Sequence, residues 1–98
     1  MIVFKGAKFY PSQVEKIVRG FPALSDEFRI EIRRADSTAH VEACTVVVEL
    51  GGAKSPDLEG RVLHALRDEL GVMPTLRLEP YGTLERSTFK ATRIVEED

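Results

Sequence analysis

The sequence predicts an α+β fold of the ferredoxin-like, split βαβ kind: an antiparallel sheet with two helices on one face, preceded by a short hairpin. Three observations carry that expectation. Val14, Ile17, Val18 and Phe21 recur at helical spacing, and Leu58, Val62, Leu66 and Leu70 do the same further along. Between these stretches Phe28, Ile30 and Ile32 alternate with Arg29, Glu31 and Arg33, the period of a half-buried strand. The order that results is a hairpin, then helix, strand, strand, helix, strand and a terminal strand. It fits one small domain, and 98 residues leave no room for a second core.

Each element has its own local cause. Ile2–Phe4 and the pair Phe9-Tyr10 are short apolar pieces around Lys5-Gly6-Ala7-Lys8, where Gly6 can supply a positive φ. Ser12-Gln13-Val14-Glu15, directly after Pro11, has the pattern of a capping box, and Gly20 and Pro22 end the helix it opens. Ala35-Asp36-Ser37-Thr38 is turn material. A second strand over Val41–Leu50 carries Cys44, Val46, Val48 and Leu50 on its apolar face, and Gly51-Gly52-Ala53-Lys54 breaks it. Ser55-Pro56 offers an N-cap followed by proline at the first helical position. Gly71 suits the C′ position of that helix, and Pro74 forbids its continuation. Leu76 and Leu78 make a short strand closed by Pro80. Residues 81–88 read as a polar loop, 91–95 as a final strand and Glu96-Glu97-Asp98 as a solvated tail.

Composition narrows the functional classes. A net charge of −2 gives no general attraction to nucleic acid or to an anionic membrane. An RNA-recognition module has the same element order but needs exposed aromatics on its central strands, and Val41–Leu50 contains none. The single cysteine, Cys44, excludes an internal disulfide and fits a reducing compartment, so a cytoplasmic domain is expected. No apolar run approaches the ~18 residues of a membrane span. His40 and His64 lack partners at metal-ligand spacing, so no metal site is expected, and Cys44 reads as a buried, inert thiol.

Two stretches stand apart, each with lysine in or beside a glycine-containing loop. The first is Phe4-Lys5-Gly6-Ala7-Lys8-Phe9-Tyr10-Pro11-Ser12-Gln13-Val14-Glu15. The second is Gly82-Thr83-Leu84-Glu85-Arg86-Ser87-Thr88-Phe89-Lys90-Ala91-Thr92-Arg93. By composition alone they are a tight turn and a solvated loop. The first, however, resembles the segment that opens the C-terminal domain of adenylate-forming ligases, in the phenylacetate–CoA ligase branch: Lys5, Gly6, Tyr10, Pro11, Ser12, Val14 and Glu15 match. The second is similar to that family's last motif, through Arg86, Ser87, Lys90, Ala91 and Arg93. Phe89 stands where many relatives carry glycine, and Glu85 where proline is common. The resemblance runs over essentially the whole chain.

What the resemblance implies is half an active site. Residues 1–98 would be the C-terminal lid domain, working with an N-terminal adenylation domain supplied in the same chain or as a separate subunit. The whole enzyme would activate an aryl carboxylic acid with ATP, with Mg bound in that other domain, and pass the acyl group to coenzyme A. Lys90 would be the catalytic adenylation lysine, with Arg86, Ser87 and Arg93 as its motif. Lys5, Gly6, Ala7, Lys8 and Phe9 would form the loop on the CoA side. The chain by itself would be inactive and bind no cofactor. The competing reading is a stand-alone ferredoxin-like module that binds a small ligand or regulates, or pairs its sheets in a homodimer, since a fold does not determine function.

Overall fold

The structure is a computed structural model and describes residues 2–34, 41–52, 55–84 and 94–97. Its elements, in chain order, are β1 (Ile2–Phe4), β2 (Ala7–Phe9), α1 (Pro11–Arg19), β3 (Leu24–Arg34), β4 (Val41–Leu50), α2 (Leu58–Leu70), β5 (Thr75–Glu79) and β6 (Ile94–Glu97). The α+β class, the hairpin and the element order are as expected. None of the described helices is long and apolar enough to cross a membrane.

Both helices begin elsewhere than the capping patterns suggest. Pro11, not Ser12, opens α1: its ring presets φ for the first helical position, and Tyr10 becomes the N-cap. Gln13 then closes the turn by accepting from the Tyr10 N–H at 2.8 Å. In α2 the Ser55-Pro56 pair forms a preceding turn, with Leu58 N donating to Ser55 O at 3.2 Å, and Asp57 is the N-cap. The far end is as expected. Gly71 sits in the left-handed region at φ 77° and donates to Arg67 O at 2.9 Å.

β3 and β4 form the antiparallel centre of the sheet, from Leu24↔Leu50 to Arg34↔Val41. β1 and β2 are antiparallel too, but elsewhere the expectation of an antiparallel sheet needs correction, because the sheet is mixed. β5 and β1 both run parallel to β4, and β6 runs parallel to β3. The cause is connectivity: α2 carries the chain back across the sheet, so β5 re-enters in the direction of β4. β1 meets β4 at Phe4↔Val41 and β5 meets it from Thr45↔Thr75 to Glu49↔Glu79, so two short strands share one edge end to end. The tail is also corrected. Glu96 and Glu97 are strand residues paired with Ile32 and Arg33, where they satisfy backbone groups that β3 would otherwise leave open.

The core lies between the helices and one face of the sheet. Phe28, Ile30 and Ile32 of β3 and Cys44, Val46 and Val48 of β4 meet Val14 and Val18 of α1 and Leu58, Val62, Leu66 and Leu70 of α2 in one buried cluster. Burying each such side chain contributes about 1.5–3 kcal/mol, which is why the helical and strand periods must agree in phase. The helices are also tied to each other. Gln13 Nε2 and Lys16 Nζ donate to the Glu69 carboxylate at 3.2 and 3.1 Å, and the Lys16 and then the Gln13 bond holds that carboxyl below its ordinary range.

Candidate functional site

The hairpin presents four of the five residues expected on the CoA side. Lys5 and Gly6 are its turn, both in the left-handed region at φ 49° and 81°. That pair of positive φ values matches the twist of a two-residue hairpin. Lys5 and Lys8 are exposed, and the Lys5 ammonium lies 5.4 Å from the centre of the Phe4 ring. Phe9 is different: it is fully buried in the core, so its side chain anchors the hairpin instead of lining its surface. Phe4 and Ile2 anchor the other strand in the same way.

The sheet face turned away from the helices is polar and organised around two acids. Glu31, on β3, accepts from Arg29 of its own strand, with Nη2 to Oε2 at 2.7 Å, and from Arg77 of β5 through Nη1 at 3.3 Å and Nη2 at 3.1 Å. Arg77 also donates from Nε to Glu79 Oε1 at 2.8 Å. Partial burial pushes the Glu31 carboxyl up, but Arg77 and then Arg29 outweigh it and hold the group below the ordinary carboxylate range. The bond to Glu31 likewise raises the Arg77 guanidinium. Val47, paired with Arg29 on one side and Arg77 on the other, is fully buried on this face. Long arginine stems cover apolar surface in this way while their heads stay polar.

The second acid, Glu49, is fully buried. Its Oε1 accepts from Ser25 Oγ and its Oε2 from the backbone N–H of Leu84, both at 2.9 Å. No sequence signal marked it, because an acid at the end of a valine-rich strand reads as an edge residue in solvent. A third feature is an open cavity of about 590 Å³ between the end of α1 and the start of α2, lined by Phe21, Pro56, Asp57, Gly60, Arg61 and His64. Arg61 lies over the Phe21 ring at 5.7 Å. Among the described residues, none of those expected in the site lines this cavity.

The expected residues of the last motif, Arg86, Ser87, Lys90 and Arg93, lie outside the described residues, as does His40. His64 is on the exposed face of α2, 3.2 Å from Asp68. Cys44 is buried, and that burial pushes its thiol up to about 11, the inert state expected of it. Among the described residues, no three His, Cys, Asp or Glu side chains converge as a metal site.

Residues 6–97 match the family model described as the AMP-binding enzyme C-terminal domain. The chain belongs to that family. Among curated proteins, this AMP-binding enzyme C-terminal domain is similar to the phenylacetate-coenzyme A ligase of Escherichia coli (strain K12), 26% identical over 103 residues. The match covers 98% of this chain and 23% of that protein, so the chain spans about a quarter of its relative's length. It is also similar to a solved domain of phenylacetate-coenzyme A ligase from Bacteroides vulgatus ATCC 8482. That match has a TM-score of 0.79 and 29% identity, over 98% of this chain and 91% of that one. The fold alone is shared with 2-hydroxyisobutyryl-CoA ligase, solved in the postadenylation state in complex with R3-HIB-AMP: TM-score 0.81 at 23% identity, covering 99% of this chain and 21% of that chain. The resemblance read from the two lysine-bearing stretches is thus to the family that the whole chain matches.

Proposed function

We propose that this domain is the lid of an ATP-dependent aryl–CoA ligase of the phenylacetate type, acting in the cytoplasm beside a separate adenylation domain. The observation that carries the reading is the match to ligase C-terminal domains over nearly the full chain, in sequence family and in fold.

In the first half-reaction the acid's carboxylate attacks the α-phosphate of ATP, expelling pyrophosphate and leaving an acyl-adenylate. Negative charge gathers on the oxygens between the reacting groups. An ammonium held against them in a site closed to water stabilises that transition state, and Lys90 supplies it. Mg, expected with the nucleotide in the adenylation domain, would screen phosphate charge there. In the second half-reaction the lid turns and the thiol of CoA displaces AMP. The exposed hairpin tip then borders the thiol's path. Gly6 leaves the backbone bare for close approach, and Lys5 and Lys8 offer point charges to CoA phosphates.

The test is Lys90→Ala in the chain combined with its adenylation domain. Adenylate formation, read by ATP–pyrophosphate exchange, should fall by about 10²–10³, as when a transition-state donor is removed. Thioester formation from supplied acyl-adenylate should change little. Equal losses would count against the lysine's role, and ATP- and CoA-dependent AMP release by the 98-residue chain alone would refute the lid reading. One observation favours a small-ligand module instead, namely the cavity at Phe21, Arg61 and His64. Loss of ligase activity on Lys90→Ala, with none on Arg61→Ala, would dispose of it.

A further inference from the structure

We propose that Glu49 is a positioning residue whose carboxylate fixes the chain at Leu84, just ahead of the segment bearing Lys90. The inference rests on the ligase reading and adds to it a residue that no motif contains.

The side chain is fully buried yet stands outside the hydrophobic cluster that the helices cover. It projects from the opposite face of β4, since its neighbours Val48 and Leu50 belong to that cluster. Burying a carboxylate is costly, and an apolar side chain would fill the same space without that cost. What an acid supplies is two acceptors, and both are used. Oε1 takes the Ser25 hydroxyl at 2.9 Å, whose oxygen in turn accepts from Glu27 N at 3.2 Å. These bonds brace the part of β3 where its register shifts against β4, between Leu24 and Phe28. Oε2 takes the N–H of Leu84 at 2.9 Å.

The second bond is the informative one. Leu84 lies beyond the end of β5 at Glu79 and ahead of the start of β6 at Ile94, so no ladder partner serves its N–H. It is nonetheless buried, and a buried N–H without an acceptor is destabilising. Glu49 therefore converts a point in a connection into a fixed one. The next attachment among the described residues is Ile94, paired with Ile30. Residues 85–93 run between these two attachments, with Lys90 six positions after the first. An ammonium that must meet a transition state is effective only when well placed, and a displacement of about 1 Å can cost roughly 10²-fold. Glu49 thus holds the described attachment that stands nearest before Lys90 in sequence, and releasing it leaves the lysine itself untouched.

The experiment measures both half-reactions in the chain combined with its adenylation domain. Glu49→Ala should lower adenylate formation at least tenfold and leave thioester formation from supplied acyl-adenylate within twofold. It should add nothing to Lys90→Ala, because a lysine that is absent needs no placing. Glu49→Gln keeps an acceptor for Leu84 and should restore most of the rate. Equal losses in both half-reactions would reduce Glu49 to a folding role and overturn the proposal. So would normal adenylation by Glu49→Ala where Lys90→Ala is crippled. A neutral Lys90→Ala would instead remove the ligase reading, and the positioning role with it. Where the alanine variant does not fold, Glu49→Leu fills the space without acceptors and takes its place. Hydrogen exchange at the Leu84 amide should then quicken at least tenfold, and unchanged protection would overturn the clamp.

Discussion

Replacing Glu31 with glutamine tests whether the polar face of the sheet is held by charge. Glu31 is 13% exposed and receives two guanidinium groups, at 2.7 Å from Arg29 and 3.1 Å from Arg77. Both arginines are more than a third exposed, so the water-like limit of Coulomb's law applies, at about 0.5–1 kcal/mol for each pair. Glutamine keeps an oxygen acceptor but no charge and leaves two cations facing each other. The expected loss is therefore about 1–2 kcal/mol at pH 7, a shift of roughly 1 M in the urea midpoint for a domain of this size. The folded chain holds the Glu31 carboxyl below its unfolded value. Its contribution is thus present above the ordinary carboxylate range and is lost as pH falls through the lowered folded value. Urea titrations of both proteins at pH 7 and near pH 3 should show the gap at neutral pH and little of it in acid. Added salt should shrink the neutral gap. An equal deficit at both pH values would show that shape, not charge, matters here; no deficit at pH 7 would show that the two arginines contribute nothing.

Two further outcomes follow from single residues. Gly6→Ala should cost about 1 kcal/mol, read as a lower thermal midpoint, because φ is 81° while a Cβ there would meet nothing within 4 Å, so the cost is backbone conformation alone. Cys44, with its thiol pushed up to about 11, should react with an aromatic disulfide at pH 8 at least 100-fold more slowly in the native chain than in urea; rapid native labelling would contradict the burial of that strand.

The local parts of this fold were legible because they rest on local causes. The phase of α2 is written in Leu58, Val62, Leu66 and Leu70, all buried, and its end in the positive φ of Gly71. Val41–Leu50 is a strand over its full predicted length. What escaped notice is non-local. Nothing in Glu96 and Glu97 announces that β3 needs a partner, and nothing in Phe4 or Leu76 announces a shared edge on β4. At the site, the positive φ at Gly6 could be anticipated, but the burial of Phe9 needed the helix packed above it. Glu49 was invisible for the same reason. Two of its partners, Ser25 and Leu84, are 24 and 35 residues away, and no pattern within one strand encodes them.

The sharing of one strand also sets a distance. β4 touches the hairpin through Val41 and the approach to Lys90 through Glu49, and these residues are eight steps apart, roughly 26 Å along an extended chain. The longest dimension of the body is 39 Å, so Val41 and Glu49 are separated by a large part of it. A ten-residue strand paired with β3 along its length does not fold to close that gap. On the lid reading proposed above, a partner's cleft that met the two ends of this strand in turn would need the whole body to turn over between visits.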